Sequence, residues 1–485
     1  MGYWYGDAGN SIAGAWCPAE GGGRATAREP ASGEAIGTFA WSDRVDARRA
    51  LEAARAAFEG WSRTPLWQRA AACRAIAAAV RAEAEALAEL LAREQGKPLA
   101  EARFEIGKAA DGFELAAETA KHLEGATVPT EDPGKVVMSF YRPRGVYAVV
   151  TPWNFPVNIP VEYLAPGLAA GNALVWCPAP TTALCAVALT RVCEAAGLPG
   201  GVLNLVTGEG ATVGDEIVSS PLTDGVGFTG SAATGKRIAE RAAGKPQLLE
   251  MGGNGPVVVF DDADLERAVE ATASGCFVNA GQVCSSSERI IVQAGIHDAF
   301  VDAMIAAAKA HRLGHSMDPE TTMGPLNNRA VHDKVSAHVR DAMDRGAVRA
   351  HGGFVPQDLP GGLFYQPTVL TDVAPESLIN REETFGPVAP ILKVRDEAEA
   401  LAIARDNRYG LASSVFTRDI ERAWFWAEAM PTGLVNINDT SNYWELQIPF
   451  GGYAGKDSGV GRIGGRHTLV AMSELKTVSF TRPLP

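Results

Sequence analysis

The sequence predicts an α/β protein with two parallel sheets, and three observations support this. The chain has 485 residues, more than one hydrophobic core usually holds, so at least two domains are expected. From residue 136 onward, short apolar runs alternate with amphipathic helical patterns, which is typical of parallel sheets covered by helices. The alternation starts afresh near residue 257, which indicates a second α/β unit.

The first part of the chain is expected to be irregular and then helical. Residues 1–40 are rich in glycine and small polar residues, with a strand near Ile36–Ala40. Apolar residues at spacings of three and four then predict packing helices. These cover Val45–Trp61, Pro65–Gln95 and Leu99–Leu123.

The first alternating series is expected to form a parallel sheet with its helices. Its strands are predicted at Val146–Val150, Ala173–Trp176, Val202–Val206, Gly225–Phe228 and Leu248–Leu249. Its helices are predicted at Val161–Ala170, Ala183–Ala196 and Thr234–Ala243.

The second series begins with a strand at Val257–Phe260. It continues with a helix at Asp264–Phe277, a strand at Arg289–Val292 and a helix at His297–His311. At the C-terminal end, Glu474–Thr481 has a strand pattern. Because an isolated ribbon is marginally stable, this strand is expected to pair with another.

Composition narrows the class of protein. The net charge is −13 and no lysine- or arginine-rich run is present, so nucleic acid and anionic membrane surfaces are not expected as partners. No apolar stretch approaches the ~18 to 20 residues of a membrane span, and the N-terminus lacks a secretory pattern. The seven cysteines include no C-x-x-C pair, which argues against a disulfide framework or a metal cluster. A cytoplasmic protein without a bound metal is expected.

Cys284 is the strongest candidate for a reactive group. It lies in the segment FVNAGQVCS at 277–285, a small-residue loop after an apolar helical pattern. A thiol that is partly exposed, close to main-chain donors and near a base can act as a nucleophile. Glu250, in LLEMGGN at 248–254, is the candidate base. Taken alone, a free cysteine is more often buried and inert.

These two segments, together with TPWNFP at 151–156, resemble signatures of the NAD(P)-dependent aldehyde dehydrogenase superfamily. The resemblance runs from about Trp41 to the C-terminus. It implies that Cys284 attacks the aldehyde, that Asn154 donates to the resulting oxyanion, and that Glu250 activates the water that hydrolyses the thioester. The expected reaction is oxidation of an aldehyde to a carboxylic acid. The expected fold is a Rossmann-like cofactor domain, an α/β catalytic domain and a small β extension for oligomerisation.

The resemblance also implies an NAD cofactor, with NADP possible. The segment FTGSAATG at 228–235 joins a strand to a helix, where main-chain N–H groups can bind a pyrophosphate. The segment REETFGP at 381–387 resembles the family's ribose-contacting stretch. The implied cofactor-binding residues are Pro152, Trp153, Cys177, Ala179, Pro180, Gly210, Phe228, Gly230, Ser231, Thr234, Met251, Gly252, Glu383 and Phe385.

Four positions depart from the family pattern. Cys177 and Pro180 stand where the family usually has a lysine and a glutamate that contact the adenosine ribose, which leaves the choice between NAD and NADP open. Tyr163 and Ile463 replace a lysine and a glutamate that form a proton-relay pair in some members. Because the lysine and the glutamate are both replaced, neither charge is left buried without its partner. Glu250 is therefore expected to act alone or through water.

The substrate tunnel is inferred by position. The residues expected to line it are Phe155, Asn158, Ile159, Glu162, Val283, Ser285, Trp444 and Phe450. Glu162 stands where succinate-semialdehyde members tend to have an arginine. With Asn158 and Trp444 it suggests a polar, cationic or hydroxylated aldehyde. The alternative is that Glu162 is a helix-start carboxylate facing solvent or a salt bridge.

The expected domains are a cofactor domain at 1–123 and 144–252, a catalytic domain at 253–457, and oligomerisation strands at 124–143 and 470–485. These strands are expected to pair and to reach another subunit, giving a homodimer or homotetramer. Two alternative functions remain. One is a CoA-acylating dehydrogenase, which Glu250 disfavours. The other is a retired homologue with a structural or binding role, which the intact Cys284, Glu250 and Asn154 disfavour.

Overall fold

The computed structural model describes residues 6–356 and 358–482, so the ends of the expected lead-in and terminal strand, at 1–5 and 483–485, lie outside the described residues. The strands of the first part are β1 (Asp7–Ala8), β2 (Asn10–Ile12), β3 (Ala15–Cys17), β4 (Arg24–Arg28), β5 (Ala35–Ala40), β6 (Ala126–Val128) and β7 (Lys135–Pro143). Its helices are α1 (Arg44–Trp61), α2 (Leu66–Ala82), α3 (Ala84–Gln95) and α4 (Leu99–Ala120). The single helix predicted at 65–95 is wrong. It is two helices, because the backbone leaves the helical conformation at Glu83 (φ −98°, ψ 11°).

Each strand and helix predicted between 146 and 249 is present. The strands are β8 (Val146–Thr151), β9 (Ala173–Pro178), β10 (Leu203–Leu205), β11 (Gly225–Gly230) and β12 (Gln247–Met251). The helices are α5 (Asn158–Ala170), α6 (Ala183–Ala195), α7 (Asp215–Ser219) and α8 (Ala232–Arg241). The short α7 was not predicted.

The remainder of the chain continues the alternation. The strands are β13 (Gly255–Val259), β14 (Ser287–Gln293), β15 (Val348–His351), β16 (Thr368–Thr371), β17 (Val388–Val394), β18 (Ala412–Phe416), β19 (Leu434–Ile437), β20 (Gly459–Val460) and β21 (Ser473–Thr481). The helices are α9 (Leu265–Phe277), α10 (Ala294–Lys309), α11 (Arg329–Asp344), α12 (Leu378–Arg381), α13 (Glu397–Arg405), α14 (Ile420–Ala429) and α15 (Gly465–Ala471).

Two large sheets confirm the α/β prediction. The first has the order β20-β12-β11-β8-β9-β10-β2-β3, and its five central strands, β12 to β10, are parallel. The second has the order β15-β16-β17-β14-β13-β18-β19 and is parallel except for β15 at its edge. The chain passes from the first sheet to the second between Met251 and Gly255.

Two smaller sheets complete the fold. One has the order β1-β5-β4. The other has the order β21-β7-β6 and is antiparallel, with nine residue pairs between β21 and β7, from Ser473 opposite Pro143 to Thr481 opposite Lys135. The predicted pairing of the C-terminal strand is therefore confirmed. Within the described residues, no helix combines the length and apolar character that crossing a membrane requires.

The first sheet brings three turns to one edge. In parallel strands the carboxyl ends lie side by side, and the register pairs Phe228 of β11 with Val150 of β8 and Thr229 of β11 with Glu250 of β12. The segments that follow β8 and β11 and the end of β12 therefore meet. Helix α5, which follows the first of these turns, is buried along nearly its whole length and fixes that turn against the sheet.

Candidate active site

One cleft, with about 650 Å³ of empty space, gathers most of the predicted site residues. Its lining residues are Pro152, Trp153, Asn154, Thr229, Gly230, Ser231, Glu250, Met251, Gly252, Cys284, Val331, Lys334, Glu383 and Phe385. They include the three residues predicted for catalysis and eight of those predicted to bind the cofactor. Thr229, Val331 and Lys334 line the cleft but were not predicted as site residues.

A strained turn delivers Cys284 to this cleft. Helix α9 ends at Phe277, and Asn279, Ala280 and Gly281 then adopt left-handed φ angles of 52°, 55° and 72°. Such angles cost about 1 kcal/mol or more for a residue other than glycine, so the surroundings must hold them. The side chain of Asn279 does so by donating to the main-chain oxygen of Asn154 at 3.0 Å. The turn leaves Cys284 partly exposed in the cleft.

The electrostatic environment favours the neutral form of the Cys284 thiol. Burial raises the pKa of Cys284 well above its usual value, and the carboxyl groups of Glu250, Glu383 and Glu162 raise it further. Buried negative charge near a thiol disfavours the thiolate. A proton acceptor, or a positive charge entering the cleft, is therefore needed before the sulfur can attack.

Asn154 is fixed beside the same loop. The residue is 2% exposed, and its Nδ2 donates to the main-chain oxygen of Gln282 at 3.0 Å. An amide group carries two N–H donors, so one remains for another acceptor. The main-chain oxygen of Asn154 also accepts a hydrogen bond from Lys97 Nζ at 2.9 Å. Asn154 can thus present an N–H group close to the Cys284 loop.

Glu250 is a buried carboxyl group with one oxygen free. The residue is 3% exposed, and its Oε1 has no hydrogen-bond partner. Burial raises the pKa of Glu250 well above its usual value, with further contributions from Glu162 and Glu383. A carboxylate with a raised pKa is a stronger base than an ordinary one. This is the property needed to take a proton from water near neutral pH.

The predicted ribose-binding loop is held from two sides. Glu383 Oε1 accepts the main-chain N–H of Gly253 at 3.1 Å. A Cβ atom at Gly252 would lie 2.3 Å from the same oxygen, so a larger residue there would displace the Glu383 carboxyl group. Glu288, which the sequence analysis missed, accepts the main-chain N–H groups of Thr384 at 2.8 Å and Phe385 at 2.6 Å. These bonds stabilise Phe385, whose φ is 61°.

The start of α8 offers an anion-binding surface. Ser231 caps the helix and accepts the main-chain N–H of Thr234 at 3.3 Å. A Cβ atom at Gly235 would lie 2.4 Å from Met251 Cε, so this glycine allows α8 to pack closely on β12. Exposed N–H groups at a helix start favour a phosphate, and Lys334 adds a positive charge to the lining. Together with the carboxylate of Glu383 for hydroxyl groups, these residues fit a dinucleotide.

Some predicted cofactor residues lie outside the cleft lining. Cys177 is 1% exposed within an apolar cluster, where burial raises its pKa to about 12, so its side chain presents no group to a ribose. Phe228 is buried beneath Gly230. Ala179 and Pro180 are partly exposed after β9, and Gly210 is exposed at the start of the helical turn Gly210–Gly214. Contacts of these residues with a cofactor stay predictions.

The predicted substrate residues divide into apolar and polar groups. Phe155, Trp444 and Cys284 pack against one apolar cluster that includes Ile159 and Phe450. The polar ones are Asn158 and Glu162, four residues apart on α5, and the buried Ser285, whose Oγ donates to Asn442 Oδ1 at 3.0 Å. Val283 is also buried.

Tyr163 and Ile463, which replace the lysine and glutamate of the relay pair, are both buried in the core. Tyr163 Oη donates to the main-chain oxygen of Phe228 at 3.0 Å and shares a hydrogen bond with Thr229 Oγ1 at 2.7 Å. The Tyr163 ring fits because residue 227 is glycine, where a Cβ atom would lie 2.6 Å from Tyr163 Cδ1. Ile463 is 5% exposed. Neither side chain offers Glu250 a cationic partner.

A buried ion pair behind the site was missed in the sequence. The side chains of Lys97 and Glu105 are 0% and 1% exposed, with Nζ and Oε2 separated by 2.7 Å. Glu105 Oε1 also accepts the main-chain N–H groups of Val157 and Asn158 at the start of α5.

Comparison with known proteins agrees with this geometry. The aldehyde dehydrogenase family model matches residues 16–478. Glutarate-semialdehyde dehydrogenase of Pseudomonas putida is 40% identical over 467 residues, covering 96% of each chain. The NADP(+) succinate-semialdehyde dehydrogenase of Escherichia coli is 38% identical over 467 residues, again covering 96% of each chain.

Solved structures give the same result. That of succinate-semialdehyde dehydrogenase from Burkholderia pseudomallei has a TM-score of 0.95 at 39% identity, covering 98% of both chains. That of betaine aldehyde dehydrogenase from Staphylococcus aureus in complex with NAD+ has a TM-score of 0.95 at 36% identity, covering 98% of this chain and 95% of the other. The chain therefore belongs to the aldehyde dehydrogenase family and is an NAD(P)-dependent oxidoreductase that acts on aldehydes.

Proposed function

We propose that the oxidation of the aldehyde to its carboxylic acid proceeds through a covalent thioester on Cys284, with Asn154 as the oxyanion donor and Glu250 as the base. The observation that carries this proposal is the composition of one cleft. It combines a partly exposed thiol, an amide tied to the loop that carries the thiol, and a buried carboxyl group with an unpartnered oxygen.

In the first stage the sulfur of Cys284 forms a bond to the aldehyde carbon, and the carbonyl oxygen becomes an anion. The thiol proton leaves to water in the cleft, so Glu250 stays ionised for the second stage. The free N–H of Asn154 and the main-chain N–H of Cys284 stabilise the oxyanion. Bound NAD(P)+ supplies the acceptor for the hydrogen and two electrons that leave the former aldehyde carbon.

In the second stage Glu250 takes a proton from water, whose oxygen forms a bond to the thioester carbon. The carbon–sulfur bond then breaks, the sulfur leaves as a thiolate, and the product is a carboxylic acid. Glu250 is suited to this step because its raised pKa makes its carboxylate a strong base near neutral pH. Since Tyr163 and Ile463 offer it no relay, Glu250 passes its proton on through water.

The replacement Glu250→Gln tests this division of labour. It keeps the shape of the side chain and removes the base, so the acyl group should accumulate on Cys284. Mass spectrometry of the peptide that contains residue 284 should show the mass of the acyl group after mixing with aldehyde and NAD(P)+. A steady rate equal to that of the wild type, without the adduct, would sink the assignment of Glu250.

A CoA-acylating reaction is the second candidate, because a thiol could resolve the same thioester. The carboxyl group of Glu250, aimed into the cleft with a free oxygen, favours water instead. Product analysis with and without CoA separates the two. Formation of an acyl-CoA at the expense of the acid would favour the second candidate.

The cofactor is NAD or NADP, and the proposed holding residues are those of the α8 turn and the ribose loop. Ser231 and the N–H groups of α8 would hold the phosphates, and Glu383 would hold ribose hydroxyl groups. Trp153 and Phe385, in edge-to-face contact at 5.5 Å, would lie beside the nicotinamide. Lys334 would add a positive charge to these cofactor-binding residues. The names of the related enzymes include an acid semialdehyde and betaine aldehyde as substrates. A substrate panel must therefore contain both anionic and cationic aldehydes.

The larger organisation follows the sheets. We propose that the first sheet, with residues 1–123 and 144–252, carries the cofactor and that residues 253–457 carry the nucleophile. The β21-β7-β6 sheet is proposed to join copies of the chain into a dimer or tetramer, which light scattering with and without residues 473–485 would test. The seven free cysteines support a reducing compartment, and we propose the cytoplasm.

A further inference from the structure

A second, smaller pocket lies beside Glu162. Its volume is about 20 Å³, which is room for one water-sized group, and its lining includes the apolar side chains of Leu115, Val161, Pro166 and Leu446. Glu162 contributes a carboxyl group to this lining. Of the residues of α5, all described, Glu162 is the one that is not fully buried. A pocket of this size with a carboxyl group in its wall suits a single ammonium group.

Two oxygen atoms at this place have no hydrogen-bond partner. They are Glu162 Oε2 and Asn158 Oδ1, both buried. Asn158 is 7% exposed, and its Nδ2 donates to Glu162 Oε1 at 3.4 Å. Buried acceptors without donors cost free energy, and such atoms are normally paired. Glu162 and Asn158 can therefore accept hydrogen bonds from a bound ligand.

The charge at this place is also unbalanced. Burial raises the pKa of Glu162 to about 8, and no cation in the described part of the chain offsets this effect. Glu162 also raises the pKa of Cys284 and of Glu250, which shows that its carboxyl group acts on the reacting sulfur through space. A positive group bound beside Glu162 would favour the ionised form of all three groups.

We propose that Glu162 and Asn158 form a subsite for an ammonium group and that the substrate is an aliphatic aldehyde carrying one. This inference rests on the proposed reaction at Cys284. The ammonium group donates to Glu162 Oε2 and Asn158 Oδ1, and the alkyl chain extends from there towards Cys284, which packs against the same apolar cluster as Phe155 and Trp444. A carboxylate-bearing aldehyde would instead meet like charge.

A different role for Glu162, as a proton relay for Glu250, is less well supported. Glu250 and Cys284 line the cleft that faces the cofactor residues, whereas Glu162 lines the second pocket. A relay role would also leave the unpaired oxygen of Asn158 unexplained, whereas a bound hydrogen-bond donor accounts for it. The experiment below distinguishes the two roles.

The kinetic test uses three aldehydes of similar length. The cationic probe 3-aminopropanal and the neutral butanal have the same number of non-hydrogen atoms, and succinate semialdehyde supplies an anion. The wild type should have a higher kcat/KM for 3-aminopropanal than for butanal. Glu162→Gln should lower this ratio by roughly tenfold to hundredfold, the value of a hydrogen bond to a charged group. Glu162→Arg should shift preference towards succinate semialdehyde.

The control is Glu118→Gln, which removes an exposed carboxyl group from α4 and should leave the ratio unchanged. If Glu162→Gln lowers kcat for all three aldehydes equally, the residue is a relay and the subsite is refuted. A wild type that prefers butanal or succinate semialdehyde also overturns the proposal.

A second measurement decides the subsite without turnover. Alkylation of Cys284 by iodoacetamide should be slowed by n-butylammonium more strongly than by the isosteric 1-butanol, and Glu162→Gln should remove the difference. Equal protection by the two compounds would overturn the subsite. If the protection is selective while none of the three aldehydes is oxidised, the reaction assigned to Cys284 fails and the subsite stands.

Discussion

Replacing Lys97 by methionine should loosen the Asn154 turn from behind. The ammonium group of Lys97 is fully buried and contacts Glu105 Oε2 at 2.7 Å and the main-chain oxygen of Asn154 at 2.9 Å. Methionine keeps much of the volume but leaves the Glu105 charge without its cation. Breaking a buried ion pair from one side costs about 3 to 5 kcal/mol. The lower end is expected, since Glu105 Oε1 keeps the main-chain N–H groups of Val157 and Asn158.

Hydrogen–deuterium exchange of residues 152–160 measures the loss of local stability at the Asn154 turn itself. Because about 1.4 kcal/mol corresponds to a factor of ten, a loss of about 3 kcal/mol should speed exchange in this segment roughly a hundredfold. A local readout is preferable to global unfolding, since multidomain chains do not unfold in one step. Acylation of Cys284 should slow in parallel, because the N–H of Asn154 is no longer held in place.

Two further variants make this prediction refutable. Lys108→Met removes a partly exposed lysine of α4 and should leave exchange in 152–160 unchanged. The double variant Lys97→Met with Glu105→Gln should recover part of the loss, because it removes the uncompensated charge. If Lys97→Met and Lys108→Met behave alike, or the double variant is worse than Lys97→Met alone, the ion pair does not hold the Asn154 turn.

Three other predictions concern the thiol, the core and pH. Cys284→Ala should abolish oxidation while leaving nucleotide binding intact, and residual turnover would contradict the nucleophile assignment. Gly227→Ala should speed hydrogen–deuterium exchange of residues 225–230 by an amount equivalent to about 1 to 3 kcal/mol, since its Cβ would lie 2.6 Å from Tyr163 Cδ1, whereas Gly60→Ala, with no heavy atom within 4 Å of its Cβ, should not. Burial raises the pKa of Glu162 to about 8, so its carboxylate forms as pH rises through this value. The ratio of kcat/KM for 3-aminopropanal over butanal should therefore increase between pH 7 and 9, and Glu162→Gln should make it flat. Taking the ratio within one enzyme cancels the titration of groups that act on both aldehydes.

Periodicity and turn residues predicted the first parallel sheet and the beginning of the second, because their strands are apolar runs that are buried on both faces. The strand pattern of β21 predicted that it would have a partner, and the resemblance to the family implied that this partner would be β7. The break at Glu83 could not be seen, because alanine-rich sequence continues through it. Helix α7 is too short for a periodic signal.

Motifs predicted most of the residues that line the cleft, but not those that hold these residues in place. Lys97 and Glu288 are charged, and a charged residue in a sequence is normally interpreted as solvent-exposed. Their burial depends on partners distant in sequence: Asn154 for Lys97, and Phe385 for Glu288. The left-handed turn before Cys284 was equally hidden, because asparagine and alanine rarely adopt it without support from neighbouring groups.

Carboxyl groups dominate this active site, and their effect on the thiol is linked to what the site binds. Glu250, Glu383 and Glu162 all raise the pKa of Cys284, so they hold the sulfur in its less reactive form. A positive charge bound among them would act in the opposite direction and favour the thiolate. By thermodynamic linkage, the ligand that lowers the thiol pKa must also bind more tightly to the thiolate. The carboxyl groups that would recognise a cation are thus the same groups that keep Cys284 protected until the cation arrives.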